Sequence, residues 1–208
     1  MKAKFTNALR GIKKRWGTLN MKRRLWDKEY ASGKWDHCDY TPGAWVYSFV
    51  EKHCRNGSVL DLGCGAGNTG NELDVNSYRD YTGVDVSEVA VQKAAERSER
   101  NGRASKNRYI QSDILSYTPK QRHEVILFRE SLYTIPHSKM KATLDRYSRY
   151  LTDDGVFIVY VSRDGTKKVR EIVGWIEVHF VVKEKHSKVA PSPDAAAYLG
   201  DAFVVVFR

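Results

Sequence analysis

The sequence lacks the features of a membrane-spanning protein and of a disulfide-stabilised one. Its three cysteines show no CxxC spacing, and a sparse odd count favours a reducing cytosol over a disulfide framework or a zinc site. No stretch approaches the ~18 uncharged apolar residues that a membrane span needs. The first twenty residues contain no apolar core of a cleaved signal. The six histidines form no HxH or HExxH pattern, so we expect no metal site.

Acidic residues are absent from residues 1–24, which contain nine of the 35 lysines and arginines of the chain. The other residues carry 26 basic and 25 acidic side chains, so almost all of the net charge of +10 comes from this segment. Its apolar residues recur every three or four positions, which predicts a basic amphipathic helix over residues 1–25. They are Phe5, Leu9, Ile12, Trp16 and Leu19.

Three uses of such a helix remain open at this point. It can lie on an anionic membrane surface, contact the phosphates of a nucleic acid, or pack on the domain or a second subunit with its cations in solvent. Phe5 and Trp16 in the apolar stripe favour the membrane over the nucleic acid, and no RNP1 or KH motif for RNA is present. An anionic membrane surface is therefore a candidate partner, and nucleic acid is a less favoured one.

From residue 58 onward, short apolar segments alternate with stretches of helical periodicity, which predicts an α/β fold with a doubly wound sheet and helices on both faces. One helix is expected after Ser87, one from Ser138 and one around residues 169–176. No helical pattern separates the last two strands, which favours an antiparallel pair at the sheet edge. We divide the chain into residues 1–25, a lid and lead-in helix over 26–57, and a core over 58–208. The predicted strands are Ser58–Leu62, Tyr81–Asp85, Arg108–Gln111, Glu124–Phe128, Val156–Val161, Val178–Glu184 and Ala202–Phe207.

A glycine-rich turn follows the first predicted strand in the segment VLDLGCGAGN, and ligands of open α/β sheets bind at this edge. The glycines at positions 65, 67 and 70 match GxGxxG, so a dinucleotide has to be considered. Asp61, however, ends the strand two positions before the first glycine. A carboxylate there repels a pyrophosphate and attracts an ammonium or sulfonium group, which indicates a cationic ligand.

Two further acids follow the next two strands. Asp85 ends the second strand, 24 residues after Asp61, and an acid at that position can accept hydrogen bonds from both hydroxyls of a ribose. Asp113 follows the third strand and can accept a hydrogen bond from an exocyclic amine, with Ile114 beside the adenine ring.

These segments together resemble the class I S-adenosylmethionine-dependent methyltransferases. The resemblance covers residues 58–208 and consists of DLGCGAG, TGVDVS, QSDIL and LTDDGVFIV, in this order. It implies a seven-stranded sheet with an antiparallel last strand, and S-adenosylmethionine as the cofactor. By this resemblance Asp61, Gly63 and Gly65 face the methionine end, Asp85 the ribose, and Asp113 and Ile114 the adenine. Cys64, Val86 and Arg129 are further expected cofactor contacts.

The segment after the fourth strand, residues 128–137, borders the methyl acceptor in this family. It reads Arg-Glu-Ser-Leu where DNA N-methyltransferases have Asn/Asp-Pro-Pro-aromatic, and it is similar to small bacterial enzymes that act on sugars, lipo-oligosaccharides and small metabolites. Glu130 and His137 are the candidate catalytic bases. Alternatively, His137 is a surface residue that precedes a helix, and Glu130 bonds the cofactor or pairs with Arg129.

Residues 26–36 resemble the Tyr-x-x-Gly-x-Trp segment that covers the cofactor in some of these bacterial enzymes. Tyr30 and Trp35 are the lid candidates, and the alternative is that they pack on the sheet. We expect a cytoplasmic enzyme, with a peripheral membrane contact as an option, that methylates oxygen or nitrogen of a small-molecule or glycan acceptor. The alternatives are a tRNA or rRNA methyltransferase that uses the basic segment, and a non-catalytic cofactor-binding subunit.

Overall fold

The structure is a computed structural model that describes residues 16–36, 41, 44–162, 167–188 and 202–208. Seven strands form one sheet in the order β3-β2-β1-β4-β5-β7-β6. They are β1 (Ser58–Leu62), β2 (Asp80–Asp85), β3 (Asn107–Gln111), β4 (His123–Arg129), β5 (Leu151–Ser162), β6 (Val182–Lys188) and β7 (Ala202–Phe207).

Six helices accompany these strands in the described part of the chain. They are α1 (Leu19–Ala31), α2 (Val46–Cys54), α3 (Asn68–Glu72), α4 (Glu88–Arg100), α5 (His137–Ser148) and α6 (Lys167–His179). A 3₁₀ turn at Leu132–Thr134 separates β4 from α5.

The first five strands are parallel to one another, whereas β7 is antiparallel to both β5 and β6. The predicted doubly wound sheet with its antiparallel last strand is confirmed. Because β1 ends next to both β2 and β4, the chain segments that leave these three strands meet at one edge of the sheet. This edge is where the sequence predicts the ligand.

Two separate apolar clusters cover the two faces of the sheet. One face packs against α5 and α6 through Met140, Leu144 and Ile176, and the other packs against α2 through Val46 and Val50. All five residues of β1 are buried. Burial on both faces explains why the apolar residues of this strand do not alternate with exposed polar ones, and it makes the buried carboxylate of Asp61 an exception within the strand.

Three predicted boundaries in the second half of the chain are wrong. The fifth strand begins at Leu151, five residues before the predicted start at Val156. The strand predicted at Val178–Glu184 begins only at Val182, because α6 continues through His179. Val178 is 80% exposed and Val181 is 73% exposed, so these valines do not belong to a buried strand. The helix expected from Ser138 begins at His137, with Pro136 as the residue before its first turn.

The helix predicted over residues 1–25 is interrupted. A bend at Gly17 separates Trp16 from α1, and the Thr18 hydroxyl caps α1 by accepting a hydrogen bond from Met21 N. Helix α1 then crosses residue 25, so the boundary drawn there does not fall between two elements. The part of the predicted stripe formed by Phe5, Leu9 and Ile12 lies outside the described residues.

Candidate active site

At two positions, the glycine-rich turn after β1 has no room for a side chain. Gly63 and Gly65 have φ values of 88° and 54°, which side chains rarely adopt. A Cβ atom on Gly63 would lie 2.5 Å from the Cβ of Ser131, and one on Gly65 would lie 2.6 Å from the hydroxyl of Tyr30. The turn is therefore enclosed by the segment after β4 on one side and by α1 on the other.

Asp85, at the end of β2, holds this turn in place. Its Oδ2 accepts a hydrogen bond from Gly65 N at 3.0 Å, and its Oδ1 accepts one from Ser87 N at 2.9 Å. The backbone N–H of Val86 is a third donor to this carboxylate, whose two oxygens have about four lone pairs in total, so acceptor capacity for a ligand hydroxyl remains. Burial raises the pKa of the Asp85 carboxyl from its ordinary value to about 6.

Asp61 is a buried carboxylate with spare capacity. Its Oδ2 accepts a hydrogen bond from the Tyr81 hydroxyl at 2.6 Å, while its buried Oδ1 has no hydrogen-bond partner among the described residues. Burial also raises the pKa of Asp61 to about 6, although the positive charge of Arg129 acts in the opposite direction. A buried acceptor of this kind suits a cationic or hydrogen-donating ligand group.

Asp113 is bound by a residue that the sequence reasoning missed. The Lys22 ammonium of α1 lies 3.1 Å from Asp113 Oδ2, and the two side chains are only 12% and 15% exposed. Asp113 Oδ1 accepts a hydrogen bond from Leu115 N at 2.8 Å. The side chain of Ile114 reaches the glycine turn, since its Cδ1 lies 3.7 Å from the Cβ position of Gly63. The predicted adenine residues therefore lie beside the predicted methionine residues.

The two lid candidates have different positions. Tyr30 reaches the glycine turn, as its hydroxyl faces Gly65. Trp35 instead packs its ring against Tyr30 and Trp26, at centroid distances of 6.5 and 5.8 Å, and so supports the position of Tyr30. The Trp35 indole N–H donates to buried Glu29 Oε2 at 3.0 Å.

Helix α1 is attached to the sheet edge through the start of α4. Asp27 Oδ1 accepts hydrogen bonds from the Ser87 hydroxyl at 2.7 Å and from Val89 N at 3.3 Å. Arg23 pairs with Glu88 in the first turn of α4. The carboxylate of Asp27 thus lies where a helix N-terminus favours negative charge. Long-range contacts of this kind have no signature in the spacing of the sequence.

At the end of β4, Arg129 and Glu130 diverge. Arg129 donates to the Tyr47 hydroxyl and to Thr41 Oγ1, both at 3.0 Å, so its guanidinium lies against α2. Glu130 has a φ of 56°, in the left-handed region, and its N–H donates to Tyr160 O at 2.9 Å. A residue other than glycine is strained in this region, and strained backbone conformations cluster at functional sites. The next residue, Ser131, donates its hydroxyl to Leu62 O beside the glycine turn.

His137 is exposed, and its ring packs edge-on against Trp175 of α6 with the centroids 5.8 Å apart. Trp175 in turn stacks on His179, which lies in α6. The structure therefore places His137 in a contact between α5 and α6. Glu130, by contrast, directly precedes Ser131, whose side chain contacts the glycine turn.

The GxGxxG match has a packing explanation. A Cβ atom on Gly70 would lie 2.6 Å from the ring of Tyr81 and 2.8 Å from the hydroxyl of Tyr109. Gly70 therefore makes room for two tyrosines under the turn, and it does not lie where a pyrophosphate would approach. Gly70 lies within the helix after the glycine turn, α3, which has only five residues. These contacts argue against the dinucleotide interpretation.

The observed site fits S-adenosylmethionine. Asp61 Oδ1, which has no hydrogen-bond partner among the described residues, and the remaining acceptor capacity of Asp85 lie at the sheet edge where the resemblance expects the cofactor. Cys64 and Val86 lie in the same two turns, and burial raises the pKa of the Cys64 thiol, so this cysteine stays uncharged. Within the described residues, no group of three histidine, cysteine or acidic side chains is arranged to hold a metal ion. No helix there is long and apolar enough to cross a membrane.

Comparisons with known proteins agree with this geometry. The N-methyltransferase NodS from Bradyrhizobium japonicum, solved with S-adenosylhomocysteine, has a TM-score of 0.68 at 19% identity, with 89% of this chain and 97% of that chain covered. The 1,6-didemethyltoxoflavin-N1-methyltransferase from Burkholderia thailandensis has a TM-score of 0.70 at 21% identity, with 89% and 86% covered. At these identities, the likeness shows the fold.

Among curated proteins, the sterol 24-C-methyltransferase from Neurospora crassa is 24% identical over 144 residues, which is 64% of this chain and 38% of that protein. The chain thus matches well under half the length of this relative. A sequence model described as a methyltransferase domain matches residues 53–187, which is more than half of the chain. The chain therefore belongs to the methyltransferase domain family, with the class I fold of S-adenosylmethionine-dependent methyltransferases.

Proposed function

We propose that the protein transfers a methyl group from S-adenosylmethionine to an oxygen or nitrogen atom of a small-molecule or glycan acceptor. The observation that carries this proposal is the direct contact between the segment after β4 and the glycine turn. The side chain of Ser131 fills the space beside Gly63, and the strained residue Glu130 comes immediately before it. An acceptor held by Glu130 would therefore lie next to the methionine end of the cofactor site.

S-adenosylmethionine supplies an electrophilic methyl group on a positively charged sulfur. The residues of this chain would hold it at three points along the sheet edge. Asp61 would accept bonds from the ammonium group, Asp85 would accept the ribose hydroxyls, and Asp113 would accept the adenine amine. The ionised carboxylates of Asp61 and Asp85 also favour the cationic sulfonium by electrostatics.

On the acceptor side, the proposed role of Glu130 is to orient the acceptor and to take its proton. Methyl transfer depends mainly on alignment of the acceptor atom with the reacting carbon, and a positioned carboxylate supplies both orientation and a base. The left-handed backbone of Glu130 turns its side chain out of the regular direction of β4. Glu130 is favoured over His137 for this role because the His137 ring packs on Trp175.

A small acceptor is supported by the solved structures that this fold resembles. Two similar structures are those of N-methyltransferases, one of them with 1,6-didemethyltoxoflavin bound. A glycan acceptor is supported by the Glu-Ser-Leu-Tyr sequence after β4.

The proposal is tested by separating cofactor binding from methyl transfer. Calorimetric titration of S-adenosylhomocysteine into wild-type protein should show micromolar binding, and Asp85→Asn should weaken it by about tenfold or more. Glu130→Gln should leave this affinity unchanged. In a screen of sugars and small amines with radiolabelled S-adenosylmethionine, Glu130→Gln should lower transfer by about 10²-fold.

The matched controls are Asp153→Asn and Glu99→Gln, both at exposed positions, which should behave as wild type. Binding of NAD in place of S-adenosylhomocysteine would contradict the cofactor assignment. Methyl transfer to tRNA or rRNA, with none to any small molecule or glycan, would contradict the acceptor class. Tight cofactor binding without transfer to any acceptor would favour a non-catalytic subunit.

A further inference from the structure

Helix α1 and Trp16, which lies before the bend at Gly17, carry exposed apolar side chains that the fold does not use. Trp16 is 60% exposed, Leu19 is 50% exposed and Met21 is 40% exposed. Of the large hydrophobic side chains of the described residues, five are exposed, and these three lie within six positions of the chain. Exposed apolar side chains that cluster beside charged residues commonly mark an interaction surface.

The charges of α1 are divided between its two sides. Lys22 and Arg23 are directed toward the fold, where they pair with Asp113 and Glu88. The carboxylate of Asp27 is also directed inward, where it bonds the start of α4. The acid Glu29 is buried.

The outer side of α1 keeps only positive charge. Arg24 and Lys28 are exposed there, and residues 1–24 of the sequence contain no acid. The helical repeat places Met21 on this outer side with Arg24 and Lys28, whereas Leu19 is exposed because it begins the first turn of α1. These residues of the first turn and outer side, together with the exposed Trp16 before the helix, form what we call the docking surface: Trp16, Leu19, Met21, Arg24 and Lys28. It combines apolar side chains with cations and has no carboxylate of its own.

We propose that this docking surface binds an anionic lipid bilayer. A bilayer interface accepts tryptophan, leucine and methionine side chains among its acyl chains while its anionic headgroups attract lysine and arginine. Nucleic acid phosphates would use the cations but would leave Leu19 and Met21 in water. The combination of exposed apolar and basic residues therefore favours a lipid surface.

The opposite side of the same helix closes the cofactor site. Tyr30 of α1 faces Gly65, and Lys22 of α1 bonds Asp113. Helix α1 would therefore lie between the bilayer and the glycine turn, so that docking places the ligand edge of the sheet near the membrane. This inference goes beyond the proposed methyl transfer and does not depend on the identity of the acceptor.

The test is cosedimentation of the full chain with lipid vesicles. Wild-type protein should bind vesicles of phosphatidylcholine mixed with phosphatidylserine, bind phosphatidylcholine vesicles weakly, and dissociate as salt is raised. The double variant Trp16→Ser, Leu19→Ser should bind mixed vesicles about tenfold more weakly or worse. Arg24→Gln with Lys28→Gln should weaken binding only to the anionic vesicles.

The matched control is Val178→Ser with Val181→Ser, which removes the two other exposed apolar side chains at the far end of α6. It should bind vesicles as wild type does. Equal binding by the Trp16 and Leu19 variant, or loss of binding in the control alone, would overturn the proposal. So would binding to single-stranded RNA in the absence of binding to vesicles. Because the assay uses neither cofactor nor acceptor, its failure would leave the proposed methyl transfer untouched.

Discussion

At Asp61, ligand binding and folding stability make opposite demands on one side chain. Its carboxylate is 1% exposed and accepts hydrogen bonds from the side chains of Tyr81 and Thr69, yet its Oδ1 has no partner among the described residues. Burial raises the pKa of this group to about 6, so the ionised form destabilises the folded protein at neutral pH. Binding sites often keep such costly groups because the ligand, and not the fold, compensates them.

Replacement of Asp61 by asparagine should therefore stabilise the protein without cofactor. The folded-state pKa lies above the ordinary value of 3.8, so the folded chain holds more protons than the unfolded chain between about pH 4 and pH 6. The cost of the charge is thus fully present above pH 6 and vanishes toward pH 4. We expect Asp61→Asn to raise the free energy of unfolding by about 1–2 kcal/mol at pH 7 and to have little effect at pH 4.

Urea denaturation at both pH values measures this difference. The control Asp153→Asn changes an exposed carboxylate and should shift the free energy of unfolding by less than about 0.5 kcal/mol. Equal destabilisation by Asp61→Asn at both pH values would show that the carboxylate is a structural acceptor. The same variant should also bind S-adenosylhomocysteine more weakly than wild type.

At the scale of elements, α1 depends on its contact with the start of α4. Removal of the Asp27 carboxylate by alanine leaves the Ser87 hydroxyl and Val89 N without their partner. We expect Asp27→Ala to cost about 1 kcal/mol and to increase hydrogen exchange of the amides in α1 more than in the sheet. Asp27→Asn keeps an acceptor oxygen and should exchange nearly as wild type. Uniform loss of protection throughout the sheet would contradict a local role.

Gly83 in strand β2 is tightly packed, whereas Gly174 in helix α6 has open space at its Cβ position. A Cβ atom on Gly83 would lie 2.7 Å from the ring of Tyr109 and 2.8 Å from Cys64 Sγ, so Gly83→Ala should destabilise by about 1–3 kcal/mol. Gly174 lies within α6 and has nothing within 4 Å of its Cβ position. Gly174→Ala should stabilise by about 0.5–1 kcal/mol, because alanine favours the helix. Thermal melting of both variants tests the pair, and a lower melting temperature for Gly174→Ala would contradict it.

The elements that the sequence predicts well are those buried on both faces. The bounds predicted for β1 and β7 agree with the structure, because each is a short, mainly apolar segment bounded by polar residues or glycine. The sequence pattern predicts too early a start for β6. This strand lies at the sheet edge and has mainly polar residues, whereas the valines before it belong to α6 and its end. Burial, which the sequence does not show directly, decides whether such valines belong to a strand or to a helix.

The site itself was predictable only in part. Asp61, Gly63, Gly65 and Asp85 were identifiable because each ends a strand or forms the turn that follows it. The contact between Lys22 and Asp113 joins residues 91 positions apart and depends on how α1 lies on the sheet. Ser131 likewise became relevant only when the structure placed it against Gly63. Contacts between elements follow from tertiary packing, which local patterns do not encode.

For the molecule as a whole, pH should control cofactor affinity. Burial raises the pKa of both Asp61 and Asp85 to about 6, and a protonated carboxyl loses much of its capacity to accept hydrogen bonds and to attract a cation. The dissociation constant of S-adenosylhomocysteine should therefore rise by about tenfold or more between pH 7.5 and pH 5. Calorimetric titration across this range measures the slope. Asp85→Asn should show a shallower slope, and an equal slope would assign the effect to other groups.

The outer position of β6 affects how the protein behaves in concentrated solution. Among the described residues, no strand pairs with the far side of β6, so its backbone groups could template the addition of an extended segment from another chain. The exposed side chains along this strand include Lys183, Lys185 and His186. The carboxylate of Glu184 forms hydrogen bonds with Lys52 and His53 of α2. The lysine ammonium groups on two such edges repel each other when they approach. The charged sequence of β6 thus protects the sheet against intermolecular strand pairing and the fibrillar aggregation that follows from it.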